Sequence, residues 1–213
     1  MEPNCTLCRV QACSVEPGTK AYPAFCPMAR EGAQENEALL RARQAYDDAE
    51  TRRLALAAAQ TEADRYPLEP RVEEVMSFAR RIGATHLGIA CCVGLLHEAR
   101  LFQEIVEGHG FKVSSVCCKV GSIPKEVVGI TDAEKVHPGQ YEALCNPIGQ
   151  AMLLNAAETD LNVLIGLCVG HDSLFIRHSE ALVTVLIAKD RVTGHNPAAV
   201  LYTSHSYYRR VKA

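Results

Sequence analysis

Residues 70–118 read PRVEEVMSFARRIGATHLGIACCVGLLHEARLFQEIVEGHGFKVSSVCC. Val72, Val75, Met76, Ala79 and Ile82 recur at the spacing of one helical face, and Gly83 supplies a C-terminal cap signal. The apolar stretch 85–90 that follows predicts a strand. Leu95, Leu96, Ala99, Phe102, Ile105 and Val106 mark a second amphipathic helix, closed by Gly108 and Gly110 before another strand over 111–116. Helix and strand alternating in this way build a parallel sheet with helices on its faces.

The pattern extends in both directions. Downstream, an irregular stretch covers 121–144, Asn146 and Pro147 open a helix over 148–157, and the apolar runs 162–167 and 183–188 read as buried strands. The tail from 196 starts with a helix turn at Pro197, and its end, YTSHSYYRRVKA, carries no clear pattern. Upstream, 34–65 is rich in Ala, Glu, Arg, Gln and Leu with no Gly or Pro, which predicts one long helix or two consecutive ones, ended by Pro67 and Pro70. The expected architecture is α/β, with a three-layer, mostly parallel sheet flanked by helices. It divides into a Cys-rich loop at 1–32, a helical segment at 33–69 and an α/β domain at 70–213.

The composition narrows the function. The 213 residues are 48% hydrophobic and 22% charged, the range of a globular chain and outside that of collagen-like, disordered or coiled-coil sequences. A net charge of -3 leaves no excess cation to neutralise a row of phosphates or an anionic lipid surface, so neither nucleic acid nor membrane is an expected partner. The apolar runs are under half a bilayer span, and Glu2, Pro3 and Asn4 do not resemble a signal peptide, so a cytoplasmic location is expected. The helical segment at 34–65 offers a surface for a homodimer, against the commoner outcome of a solvated helix.

Ten cysteines and no tryptophan are what the bulk numbers leave unexplained. In a reducing compartment, clustered thiols point to metal binding or redox chemistry. Cys5, Cys8, Cys13 and Cys26 lie on the Pro-rich front loop, with Pro27 after the last and no histidine in the first eighty-five residues. This all-sulfur set suits a four-cysteine zinc site or a 4Fe–4S cluster, and the loop resembles a cluster-binding segment more than a zinc ribbon. The other six fall at element ends: Cys91 and Cys92 after the first strand, Cys117 and Cys118 after the second, Cys145 before a helix, Cys168 ending a third strand. Ligands of open parallel sheets bind outside the carboxyl ends of the strands, so these thiols are expected to converge there. Neighbouring strand residues face opposite ways. The glycines of CCVG and CCKVG therefore predict that each pair leaves its strand together. Six thiols exceed one tetrahedral zinc and suit a 4Fe–4S cluster with two spare, or a larger cluster; zinc on four of them and a vicinal redox pair are the alternatives.

His171 stands on the same edge, as a proton donor, a ligand or a neighbour of a ligand, or else as a residue at a helix start capped by Asp172 or Ser173. Lys189, Asp190 and His195 could complete the rim, although such a turn is more often a solvated loop. His97 and His178 read as ordinary helix residues. No Walker loop, G-x-G-x-x-G, G-x-S-x-G or H-E-x-x-H occurs, and no catalytic residue is assignable.

The strings CTLCRVQAC, FCP, GIACCVGL, VCCKVG, CNPIGQA, GLCVGHDSLF and HNPAAVLY resemble a bacterial and archaeal family of predicted metal-binding proteins defined by a domain of unknown function. The resemblance implies that all ten cysteines are ligands and that the setting is an anaerobe-type metabolism. The expected function is an iron–sulfur protein with a 4Fe–4S cluster at the N-terminus relaying electrons to a second cluster of undefined nuclearity, with a redox partner protein or a small substrate. A zinc or soft-metal module and a thiol redox sensor are the alternatives.

Overall fold

The computed structural model describes residues 3–29 and 36–212. The expected boundary between 32 and 33, and the first residues of the stretch 34–65, lie outside the described residues. The chain forms two compact units, residues 1–59 and 60–213.

In the first unit, residues 3–29 contain two short helical turns, Cys5–Leu7 and Ala12–Ser14, and Ala12 alone among them is buried. Two consecutive helices follow, α1 (Glu37–Ala45) and α2 (Ala49–Asp64). Asn36 caps α1 by accepting from the Ala38 N–H at 2.9 Å. Asp48 accepts from the Thr51 N–H at 2.8 Å, so the break between the helices is made by a side-chain cap and needs no Gly or Pro.

The second unit is a sheet of β1 (His86–Cys91), β2 (Lys112–Cys117), β3 (Leu161–Ile165) and β4 (Leu182–Ile187), in the order β2-β1-β3-β4. All four strands are parallel, where a mostly parallel sheet was expected. Every residue of the central strands β1 and β3 is buried, the polar His86 and Asn162 included, while the edge strand β2 carries Lys112, Ser114 and Ser115. Helices α3 (Arg71–Arg81) and α4 (Leu96–Gly108) cover one face, where Val75, Ala79, Phe102 and Val106 join the core with Leu87, Ile89 and Val163. Helices α5 (Pro147–Ala156) and α6 (His171–His178) cover the other, where Ala151, Leu154 and Phe175 join it with Ala90 and Leu164. A short helix α7 (Ala198–Tyr202) follows Pro197 in the tail, and the unassigned end contains a helical turn at Arg209–Val211. Among the described residues no helix is long and apolar enough to cross a membrane.

The strand order reverses between β1 and β3. The chain moves outward from β1 to β2, then crosses to β3 on the other side. A switch point of this kind splays the loops at the carboxyl ends and opens a crevice. β3 stops at Ile165 because Gly166 takes a positive φ of 69°, where a Cβ would stand 2.7 Å from Leu95 Cδ2. Cys168 therefore lies past the strand instead of ending it. Helix α6 begins at His171 with Gly170 as its N-cap, so neither Asp172 nor Ser173 caps it.

Candidate metal centres

The front loop brings its four cysteines to one place. Cys5, Cys8, Cys13 and Cys26 line a single cavity of about 120 Å³, closed by Tyr22, Pro23 and Phe25. Tight turns set this up: the Cys8 N–H donates to the Cys5 carbonyl at 3.0 Å and the Cys26 N–H to the Pro23 carbonyl at 2.8 Å. Gln11 sits in the left-handed region at φ 50° and directs its N–H at Cys8 Sγ, 3.4 Å away. Cys5 and Cys13 are exposed, Cys8 and Cys26 half-buried. The donor set is all sulfur, the soft kind of ligand that suits zinc or iron.

At the sheet crevice, backbone rungs gather three chain segments. The Cys92 N–H donates to the Ile165 carbonyl at 3.0 Å, the Cys118 N–H to the Cys91 carbonyl at 2.8 Å, and the Asn146 N–H to the Cys118 carbonyl at 2.7 Å. Asn146 also caps α5, accepting from the Gly149 N–H at 2.9 Å. Cys92, Cys118 and Cys145 thus meet on one rim. Their sulfurs take hydrogen bonds from the Gly94 N–H to Cys92 at 3.5 Å and from the Val93 N–H to Cys118 at 3.3 Å. The Cys118 thiol donates to Cys145, and this bond holds the Cys145 thiol below its ordinary range against burial, with Lys119 and His171 adding to the effect. The same bond, followed by burial, pushes the Cys118 thiol up. Cys168 joins through Arg191, whose guanidinium donates to its sulfur at 2.9 Å and also feels the charges of Cys92 and Cys145.

The adjacent pairs split, contrary to the expectation that both members leave the strand. Cys91 and Cys117 are the last residues of β1 and β2 and are register partners across the ladder. Cys91 is 2% exposed, and burial, with Cys117 and Cys92 close by, pushes its thiol up to about 11. The rungs from Cys92 and Cys118 hold the ladder one residue further, so the pleat still separates neighbours. Cys91, Cys92 and Cys118 are buried, and Cys117, Cys145 and Cys168 half-buried.

Three residues that carry the rim were not singled out by the sequence reading. Lys119 donates from Nζ to Cys145 Sγ at 3.3 Å and to the Ala143 carbonyl at 2.6 Å. Arg191 holds Cys168. Gln150 is fully buried and donates from Nε2 to the Cys91 and Val116 carbonyls at 3.1 and 2.7 Å, while its Oε1 has no partner among the described residues. Only the neighbouring cysteines in CCKVG and CNPIGQA could have drawn attention to Lys119 and Gln150. Lys189, which was considered, donates to Cys92 Sγ at 3.4 Å. Asp190 and His195 shape the turn that carries it: Asp190 accepts from the Val192 and Thr193 N–H groups, and its own N–H donates to His195 Nδ1 at 3.1 Å. His97 is exposed on α4, and the His178 ring bonds the Leu174 carbonyl within its own helix. Among the described residues, no three His, Cys, Asp or Glu side chains stand close enough to share a single metal ion.

Residues 30–186 match the family described as "Protein of unknown function (DUF1847)". The match includes Cys91, Cys92, Cys117, Cys118, Cys145, Cys168 and His171, and leaves out the front loop as well as Lys189 and Arg191. The chain is similar to the uncharacterized protein MJ0455 of Methanocaldococcus jannaschii, 44% identical over 160 residues that cover 75% of this chain and 81% of that protein. No solved structure matches. With a match over well more than half its length, the chain belongs to the DUF1847 family.

Proposed function

We propose that the protein is an iron–sulfur protein with two centres, one held by Cys5, Cys8, Cys13 and Cys26 and the other by Cys92, Cys118, Cys145 and Cys168, and that it acts in electron transfer or in reduction of a small substrate. The observation that supports this reading is a single cavity lined by all four front cysteines, an all-sulfur donor set of the kind that holds iron–sulfur clusters. The crevice cysteines support a second centre, since they come from three connections at the carboxyl edge of the sheet: Cys92 after β1, Cys118 and Cys145 between β2 and α5, and Cys168 after β3. Cys91 and Cys117 are then the two spare thiols.

A 4Fe–4S centre exchanges single electrons at a potential set by hydrogen bonds to sulfur, nearby charge and solvent. The chain's own groups act on those quantities. The Gln11, Val93 and Gly94 N–H groups and the Lys119, Lys189 and Arg191 side chains all donate to cysteine sulfur, which favours the more negative, reduced state. The exposed Cys5 and Cys13 give a redox partner protein access to the front centre. Purified without oxygen, the full chain is expected to be brown and to contain iron and acid-labile sulfide in nearly equal amounts. A colourless protein with stoichiometric zinc and no sulfide would overturn the reading.

A further inference from the structure

Among the cysteines at the sheet edge, Cys118 and Cys145 are joined sulfur to sulfur by the hydrogen bond that the Cys118 thiol donates. The backbone beneath them is tied by the rung from the Asn146 N–H to the Cys118 carbonyl at 2.7 Å. Their neighbours are engaged elsewhere: Cys92 and Cys168 accept from Lys189 and Arg191 at 3.4 and 2.9 Å, and Cys91 directs its thiol at the Val116 carbonyl. The chain between the pair is already closed on itself. The Leu144 N–H donates to the Ile123 carbonyl at 2.6 Å, the Lys125 N–H to the Glu142 carbonyl at 3.1 Å, and Lys119 Nζ to the Ala143 carbonyl at 2.6 Å. A covalent bond between the two sulfurs therefore needs no further loop closure, only side-chain rotations that shorten an existing contact to the roughly 2.05 Å of a disulfide.

The two sulfurs differ in access. Cys118 is 4% exposed and takes the Val93 N–H on its sulfur at 3.3 Å, whereas Cys145 is half-buried with the Lys119 ammonium 3.3 Å from its sulfur. A reagent from solvent meets Cys145 first, and the ammonium there steadies negative charge on that sulfur as it attacks or leaves. We infer that Cys118 and Cys145, when no metal holds them, are a reversible thiol–disulfide exchange site for a low-molecular-weight disulfide, with Cys145 the attacking sulfur and Cys118 the resolving one. Cys145 Sγ bonds to one sulfur of the small disulfide and its partner sulfur leaves as a thiolate. Cys118 Sγ then bonds to Cys145 Sγ and the second thiolate leaves. The two cysteines lose two electrons and two protons, which the small disulfide gains as two thiols. The inference goes beyond the proposed function and does not rest on it, since a metal bound to these sulfurs blocks the exchange and its loss opens the pair.

The test takes the full chain, reduced and stripped of metal by a chelator without oxygen, and incubates it with glutathione disulfide. Remaining thiols are alkylated and the unreduced tryptic peptides are identified by mass. One cross-link between peptides 113–119 and 136–177 is expected, with two of the ten thiols lost and both recovered by dithiothreitol. Those peptides also hold Cys117 and Cys168, so Cys117→Ser and Cys168→Ser are expected to keep the cross-link, and Cys118→Ser to stop at one glutathione on Cys145. No cross-link in the unsubstituted chain, or one that is lost in a Cys117→Ser or Cys168→Ser chain with unchanged circular dichroism, overturns the inference. Iron in the untreated chain that shields the pair, with cross-linking after chelation, supports the exchange site and leaves the two-centre reading intact. Cross-linking in a chain that never held iron supports the site alone, and an iron-binding chain that fails to cross-link after chelation overturns the site and keeps the two centres.

Discussion

Gln150 shows how much of the crevice hangs on a single side chain. Its amide bridges the Cys91 and Val116 carbonyls, the ends of two neighbouring strands, from the first turns of the helix that follows Cys145. Gln150→Leu keeps most of the volume and removes both donors, so a loss of about 1–3 kcal/mol is expected in urea unfolding; an unchanged midpoint would show that the clamp is idle. The cysteine positions at element ends were legible from the sequence, because strand ends are marked locally by apolar runs and glycine. That each strand ends between the two members of its CC pair was not legible. It follows from the rungs Cys92 to Ile165 and Cys118 to Cys91, the first of which joins residues more than seventy positions apart.

Among the elements, β1 and β3 are joined by a close fit that the sequence does not announce. Asn162 is fully buried in β3, accepting from Thr159 Oγ1 at 2.8 Å and donating to Ser179 Oγ at 2.8 Å. A Cβ on Gly88 would stand 1.9 Å from Asn162 Oδ1 and 3.1 Å from Leu154 Cδ1. Gly88→Ala is therefore expected to destabilise by about 1–3 kcal/mol, as overpacking does. Gly108→Ala, at the end of α4 with nothing within 4 Å of the added carbon, should be neutral or stabilise by about 0.5–1 kcal/mol. Chemical denaturation of the two variants side by side checks the contrast, and equal effects would refute it. Helical periodicity, apolar runs and the Asn-Pro start located α3, α4, α5 and all four strands because these are local properties. The break between α1 and α2 was left open, since an aspartate cap is visible only once its N–H partner is placed.

For the whole molecule, the proposed function assigns the sulfur to two sites. Cys8→Ser and Cys118→Ser are each expected to lose roughly half the iron, and Cys117→Ser to keep nearly all of it, as measured by metal analysis of anaerobic preparations. A single substitution that empties both sites, or a Cys117 variant that loses as much as Cys118, would contradict the division into two tetrads with two spare thiols. By itself, the sequence determined an α/β chain with parallel strands and put thiols at their carboxyl ends, because hydrophobic period, turn residues and caps act over a few neighbours. Tertiary structure alone decided that Lys119, Lys189 and Arg191 donate to the sulfurs of Cys145, Cys92 and Cys168. That outcome depends on the order β2-β1-β3-β4, whose pairings join distant segments and leave no short-range trace in the chain.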